Sequence, residues 1–238
     1  MKYNVKNITS FLFISLLPQL SGFILLKVFT ANLSKEEYGL YSAFMAVPPL
    51  LAILLSLQLN SAISRFYFSC KGDGRKNLIG SILCSVVVLS SIGTGLLLLF
   101  KEPLIHIVFG NAYQGESTDM TIVILNSFII TLITCLNSIL VVSENGHKIL
   151  KRVAFSTLIL ISAQYIVVDH FSGGVTSIIL ILLLVNVINL CLVFYQVRGF
   201  WSFTLDFLMM KQALSYSYPL IFHQIGGYLF NFSSILVL

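Results

Sequence analysis

Seven apolar runs separated by short polar connections leave this chain few ways to fold. They extend from Ile8 to Phe29, Tyr38 to Ser61, Leu78 to Phe100, Met120 to Ser143, Val153 to Val168, Val175 to Val197 and Leu214 to Leu238. A hydrocarbon layer about 30 Å thick needs about 20 apolar residues per crossing helix, and it offers backbone groups no partner outside the segment. Helices meet that condition within each run, and the pattern lacks the alternation of barrel strands. The fifth run is the shortest, and Ile149 and Leu150 extend it. With 57% of residues hydrophobic and 10% charged, too few charges remain to wet the surface of a soluble domain. The expected fold is all-α, a polytopic membrane protein.

Cation placement orients it. With the N-terminus cytoplasmic, Lys2, Lys6, Arg65, Lys71, Arg75, Lys76, Lys148, Lys151, Arg152, Arg198 and Lys211 fall on the cytoplasmic side. Lys35 and Lys101 fall outside and Lys27 within a span, an asymmetry in the sense of the positive-inside rule. The sequence pI near 9.0 therefore reports orientation and gives no support for a nucleic-acid partner. A cleaved signal peptide is the competing reading of the first 30 residues, but the apolar run there is longer than the usual core of such a peptide.

Chemistry of the catalytic kind finds little to work with. Cys70, Cys84, Cys135 and Cys191 have no paired spacing, and His106, His147, His170 and His223 sit in separate segments without carboxylates at ligand spacing. No Asp or Glu lies inside any of the seven runs, and there is no phosphate-cradling glycine loop or nucleophile motif. Connections are short, the longest being Lys101 to Asp119 and Arg198 to Tyr216. These features argue against an enzyme and against a bound metal or cofactor. They point to movement of a substrate across or within the bilayer, with a coupling ion, proton or sodium, left open.

Polar residues within spans face either another helix or a cavity, because each is costly in lipid. In the fourth run Ser127, Thr131, Thr134 and Ser138 recur on one helical face, flanked by Asn126 and Asn137. In the third, Ser81 with Ser85 and Ser91 with Gly95 form pairs that permit close approach. Gln164, Asn186 and Asn189 fit interhelical hydrogen bonds equally well. The first run differs: Ser15, Gln19 and Gly22 form a stripe, Pro18 interrupts the backbone ladder, and Lys27 follows. The second carries Pro48 and Pro49, then Gln58, Ser61 and Arg65 on one face with Asn60 beside them. Interrupted helices at membrane depth line cavities or are buried in protein, so these two runs are the expected cavity wall.

Lys27 has two readings. Its Cα lies about 5 Å below the end of the run at Thr30, within reach of a snorkelling side chain. Alternatively it is a cavity cation, at a mid-membrane cost of about 3 kcal/mol. Arg65 likewise reads as a positive-inside anchor or as a ligand contact. The one charged side chain inside the runs, Lys27, is a cation, and so is Arg65 at the mouth of the second, which favours an anionic passenger such as a phosphate-bearing head group.

Gln19-Leu-Ser-Gly-Phe-Ile-Leu25 aligns with Gln224-Ile-Gly-Gly-Tyr-Leu-Phe230, an even six spans later. An even number preserves orientation, as a parallel repeat requires.

The stretches "ANLSKEEYGLYSAF" after the first run, "LNSAISRFYF" closing the second and "KQALSYSYPLIFHQIGGYLFN" opening the seventh resemble bacterial polysaccharide flippases. These are the O-antigen and capsule repeat-unit exporters of the multidrug/oligosaccharidyl-lipid/polysaccharide superfamily. Glu36 to Tyr41 is the most characteristic piece, and the middle spans match in length and polarity only. The resemblance implies two six-helix lobes that turn an undecaprenyl-pyrophosphate-linked oligosaccharide across the bacterial inner membrane by alternating access. It implies a lipid-linked oligosaccharide and membrane lipids as partners, with a polysaccharide polymerase and a chain-length regulator as further ones. Residues 1–200 are then one six-helix lobe, and residues 201–238 are a cytoplasmic connection and the first helix of a second, truncated lobe. Under this resemblance Lys27 is the expected pyrophosphate cation, Gln19, Asn60 and Gln224 hydrogen-bond to the saccharide, and Arg65 captures substrate from the cytoplasm. A drug or cation antiporter of the same superfamily and a non-transporting subunit of polysaccharide assembly are the alternatives.

Overall fold

The computed structural model describes residues 5–109, 117–170, 173–202 and 205–236. Lys2, Glu116 and the last two residues of the seventh run lie outside them. Among the described residues the chain is helical throughout, and six helices are long and apolar enough to cross a membrane. These are α1 (Val5–Asn32, its membrane-length part Thr9–Asn32), α2 (Lys35–Ser56), α4 (Asp73–Leu99), α6 (Ser117–Val142), α7 (Gly146–His170) and α8 (Val175–Val197). Two shorter helices, α3 (Leu59–Phe66) and α5 (Lys101–Phe109), follow α2 and α4. The 30-residue α9 (Phe207–Leu236) stands where the seventh run was expected.

The sharp turn between α1 and α2 follows from four residues. Ser34 caps α2 by accepting from the Glu37 N–H at 3.2 Å, while the Glu37 carboxylate accepts from the Ser34 N–H at 2.8 Å. This reciprocal pair satisfies donors that a helix start leaves orphaned. One turn on, Tyr41 packs edge-on against Phe29 of α1 with ring centroids 5.0 Å apart. The Glu-Glu-Tyr-Gly-Leu-Tyr segment is thus a helix start and a packing anchor.

Helix α6 is the axis of the fold. It packs against α2, α4 and α8 and buries Met120, Ile124, Ile139 and Leu140 completely. Asp119, expected in the external connection, instead lies buried in the first turn of α6. Helix α1 lies chiefly along α7, joined through Leu25, Phe29 and Val168. The polar residues of α6 divide. Ser127 and Thr131 are buried and donate back to carbonyls of their own helix, whereas Thr134 is exposed. Asn126 accepts from Asn186 of α8 at 2.8 Å, and Gln164 of α7 donates to the Ile178 carbonyl at 3.3 Å.

Arg152, counted above with the cytoplasmic cations, is a correction. It lies within α7, 3% exposed, and donates to the side-chain oxygens of Asn137 on α6 and Asn189 and Gln196 on α8. Because α7 already begins at Gly146, a basic residue six positions later lies about 9 Å along the helix. Burial of the guanidinium is tolerated because neutral amide oxygens take its donors.

The close approach expected at Ser91 and Gly95 is not found, since a Cβ on Gly95 would meet nothing within 4 Å; the tight contact on α4 is at Gly80, and its partner is a connection. A Cβ on Gly80 would stand 1.9 Å from the Ser202 carbonyl oxygen. The segment between α8 and α9 is pinned there, with Ser202 Oγ and Asn77 Oδ1 2.8 Å apart and the Asp206 N–H donating to Ser81 Oγ at 3.0 Å.

Candidate functional site

The interruption in the second run falls in a different place from its prolines. Helix α2 continues through Pro48 and Pro49, although neither proline has an N–H to give to the helical ladder. It stops at Ser56, and Leu57 (φ 45°) and Gln58 (φ 55°) both take the left-handed conformation before α3 begins. The expected break at Pro48 and Pro49 is therefore displaced by about two turns.

Restarting the helix here gives α3 two faces. Leu59, Ala62 and Ile63 recur at i, i+3 and i+4 and are buried in the core shared with α4 and α6. Ser61, Ser64 and Arg65 recur with the same spacing on the other side. Helix α9 crosses that side with Gln212, Tyr216, Leu220 and Gln224 at strict i+4 intervals, one stripe of its surface.

Between the two stripes lies a cleft of about 390 Å³ lined by Ser61, Ser64, Arg65, Tyr216, Leu220 and Gln224. A second hollow of about 520 Å³, lined by Phe66, Leu208, Lys211, Gln212, Ser215 and Tyr216, adjoins it through Tyr216. Phe66 and Tyr216 meet edge to face between them, ring centroids 5.7 Å apart. Either volume falls within the range of about 300–1,000 Å³ usual for ligand sites.

The lining carries two cations, three serine hydroxyls, two amides and two aromatic rings, and none of these residues is acidic. An arginine fork suits two phosphate oxygens at once, and lysine adds a mobile point charge. Hydroxyls and primary amides both donate and accept, as sugar hydroxyls require. The arrangement is chemically suited to an anionic, hydroxyl-rich head group.

Of the expected site residues, Arg65 and Gln224 come together in this cleft. Asn60 lies beside it in the first turn of α3, half-buried, with its Oδ1 buried and lacking a hydrogen-bond partner. Gln19 and Lys27 are exposed on α1 and are not among the lining residues. The cavity wall expected from the first two runs is thus built at this site from α3 and α9. Lys211, Gln212 and Tyr216 were missed as site residues, although the i+4 recurrence from Gln212 to Gln224 was a readable signal.

Residues 4–238 match the sequence profile of a family described as polysaccharide biosynthesis protein. No curated protein and no solved structure matches the chain.

Proposed function

Because the chain belongs to the polysaccharide biosynthesis protein family, whose members are polysaccharide flippases, we propose that it takes part in turning a lipid-linked oligosaccharide across a bacterial inner membrane. The passenger is an undecaprenyl-pyrophosphate-linked repeat unit for O-antigen or capsule. The observation that carries the reading is the cleft between α3 and α9, where Arg65 and Lys211 stand among serines, glutamines and two aromatic rings. Arg65 and Lys211 meet the pyrophosphate, Gln212 and Gln224 meet sugar hydroxyls, and the isoprenoid tail stays in lipid. Residues 1–200 form one lobe in this reading, and α9 opens a second. Lys27, Gln19 and Asn60 then meet the passenger after it leaves the cleft. Export of organic cations fits less well, because a cation site would want a carboxylate in the lining.

The test is depletion of the full-length gene in its native cell. The expected result is loss of surface polysaccharide with accumulation of lipid-linked repeat units on the cytoplasmic face. Unchanged surface polysaccharide without such accumulation would refute the reading.

A further inference from the structure

We propose that Ser217 is a positioning residue, whose buried hydroxyl on α9 holds the left-handed break between α2 and α3 and so aims Arg65 into the cleft. Leu57 (φ 45°, ψ 29°) and Gln58 (φ 55°, ψ 23°) are consecutive left-handed residues, and neither is a glycine, asparagine or aspartate. A Cβ in that region crowds the backbone, so such a pair persists where its surroundings over-determine it.

Five hydrogen bonds involve the residues of the break. Four are local: the Leu57 N–H donates to the Leu54 carbonyl at 3.3 Å, the Gln58 N–H to Ser56 Oγ at 3.2 Å, the Ser61 N–H to the Gln58 carbonyl at 3.0 Å, and Ser61 Oγ to Gln58 Oε1 at 3.3 Å. The fifth comes from another helix, Ser217 Oγ donating to the same Gln58 carbonyl at 3.0 Å. Ser217 is fully buried and is not among the cleft-lining residues, although Tyr216 beside it is. Its influence on the cleft therefore passes through Gln58.

The consequence for Arg65 is geometric. With Leu57 and Gln58 in right-handed helical conformation, α3 would continue the axis of α2, and the face bearing Ser61, Ser64 and Arg65 would turn about that axis. The tyrosine hydroxyl of Tyr228 donates to the Ala46 carbonyl farther back along α2, so α9 runs antiparallel to α2 and grips it on both sides of the change in direction.

This inference takes the α3–α9 cleft as the site, which rests on the proposed function, but its test reads geometry. Ser64 and Leu220 line the cleft from opposite helices. In the full-length protein in native membranes, with Cys70, Cys84, Cys135 and Cys191 replaced by alanine, Ser64→Cys and Leu220→Cys are oxidised together. The intramolecular disulfide is then scored by protection from a thiol-reactive polymer. The parent pair is expected to cross-link. Adding Ser217→Ala is expected to lower the initial rate about fivefold, the scale of one ordinary net hydrogen bond. Adding Leu57→Gly to that variant restores the rate, because glycine accepts the left-handed conformation without help.

An unchanged rate in Ser217→Ala overturns the proposal. A lowered rate that Leu57→Gly fails to restore also overturns it, because Ser217 would then act by packing. A parent pair that never cross-links sinks the cleft geometry itself. Loss of polysaccharide export remains a separate question, answered by the depletion experiment.

Discussion

The Arg152 guanidinium on α7 donates to the side-chain oxygen of Asn189 on α8, so a cation buried to 3% exposure is held by a neutral amide. Asn137 and Gln196 accept beside it, and three helices meet at one charge. Arg152→Leu leaves these half-buried oxygens without their donor, at up to about 1–3 kcal/mol for each one that water does not reach. The expected outcome is a clear drop in melting temperature, read by size-exclusion of heated detergent extracts, with Arg152→Lys only partly restoring it. Asn137→Asp supplies a counter-charge and is expected to melt at or above the parent. A parental melting curve for Arg152→Leu would show that the network is dispensable.

Gly80→Ala is expected to destabilise the fold by about 1–3 kcal/mol, the usual cost of forcing atoms into a closed contact. The added methyl meets backbone of the Ser202 peptide, which cannot rotate aside as a side-chain end does. The same melting assay checks it. Gly95→Ala, where the space is open, is the control and is expected to be neutral or mildly stabilising.

Arg65→Ala is expected to weaken binding of a short-chain prenyl pyrophosphate about tenfold or more, since hydrogen bonds to charged groups contribute about 1.5–3 kcal/mol. Arg65→Lys keeps the charge but loses the fork, and retains part of the affinity. Gln224→Ala, which removes a neutral partner, costs about two- to tenfold for a saccharide-bearing ligand and little for the bare pyrophosphate. Titration by native mass spectrometry separates these cases. Equal affinity of Arg65→Ala and parent would remove the anion from the cleft.

Lys27→Ala is expected to impair export while leaving pyrophosphate binding in the cleft intact, because Lys27 is exposed on α1 and does not line it. Lys27→Arg is expected to be better tolerated. Complementation of surface polysaccharide reads the first and lipid titration the second. Full export by the alanine variant would assign Lys27 to snorkelling alone.

What could be read from the chain beforehand follows its physics. Crossing helices announce themselves because hydrophobicity over about 20 residues is a local property, and the six found lie where the apolar runs are. The break did not announce itself. Pro48 and Pro49 are the visible breakers, yet α2 passes through them, whereas Leu57 and Gln58 carry no turn signal and owe their conformation in part to Ser217 on a distant helix. Arg65 and Gln224 were recognisable as candidates singly, but their shared cleft depends on how α9 crosses α3. Arg152 was concealed by its neighbours. Lys148 and Lys151 make a basic cluster that reads as a loop, and only amides on two other helices show that this cation is inside.

The docking of the α8–α9 connection on α4 also sets an order of events during biosynthesis. Asn77 and Ser202, like Ser81 and Asp206, are 125 residues apart in the chain. At about 5–20 residues per second, α4 is made roughly 6–25 s before the segment that covers Gly80 and Ser81. During that interval the first turns of α4 must be hydrated or shielded by another protein. The helix is therefore inserted early and seated late, and its final packing waits for the connection that follows α8.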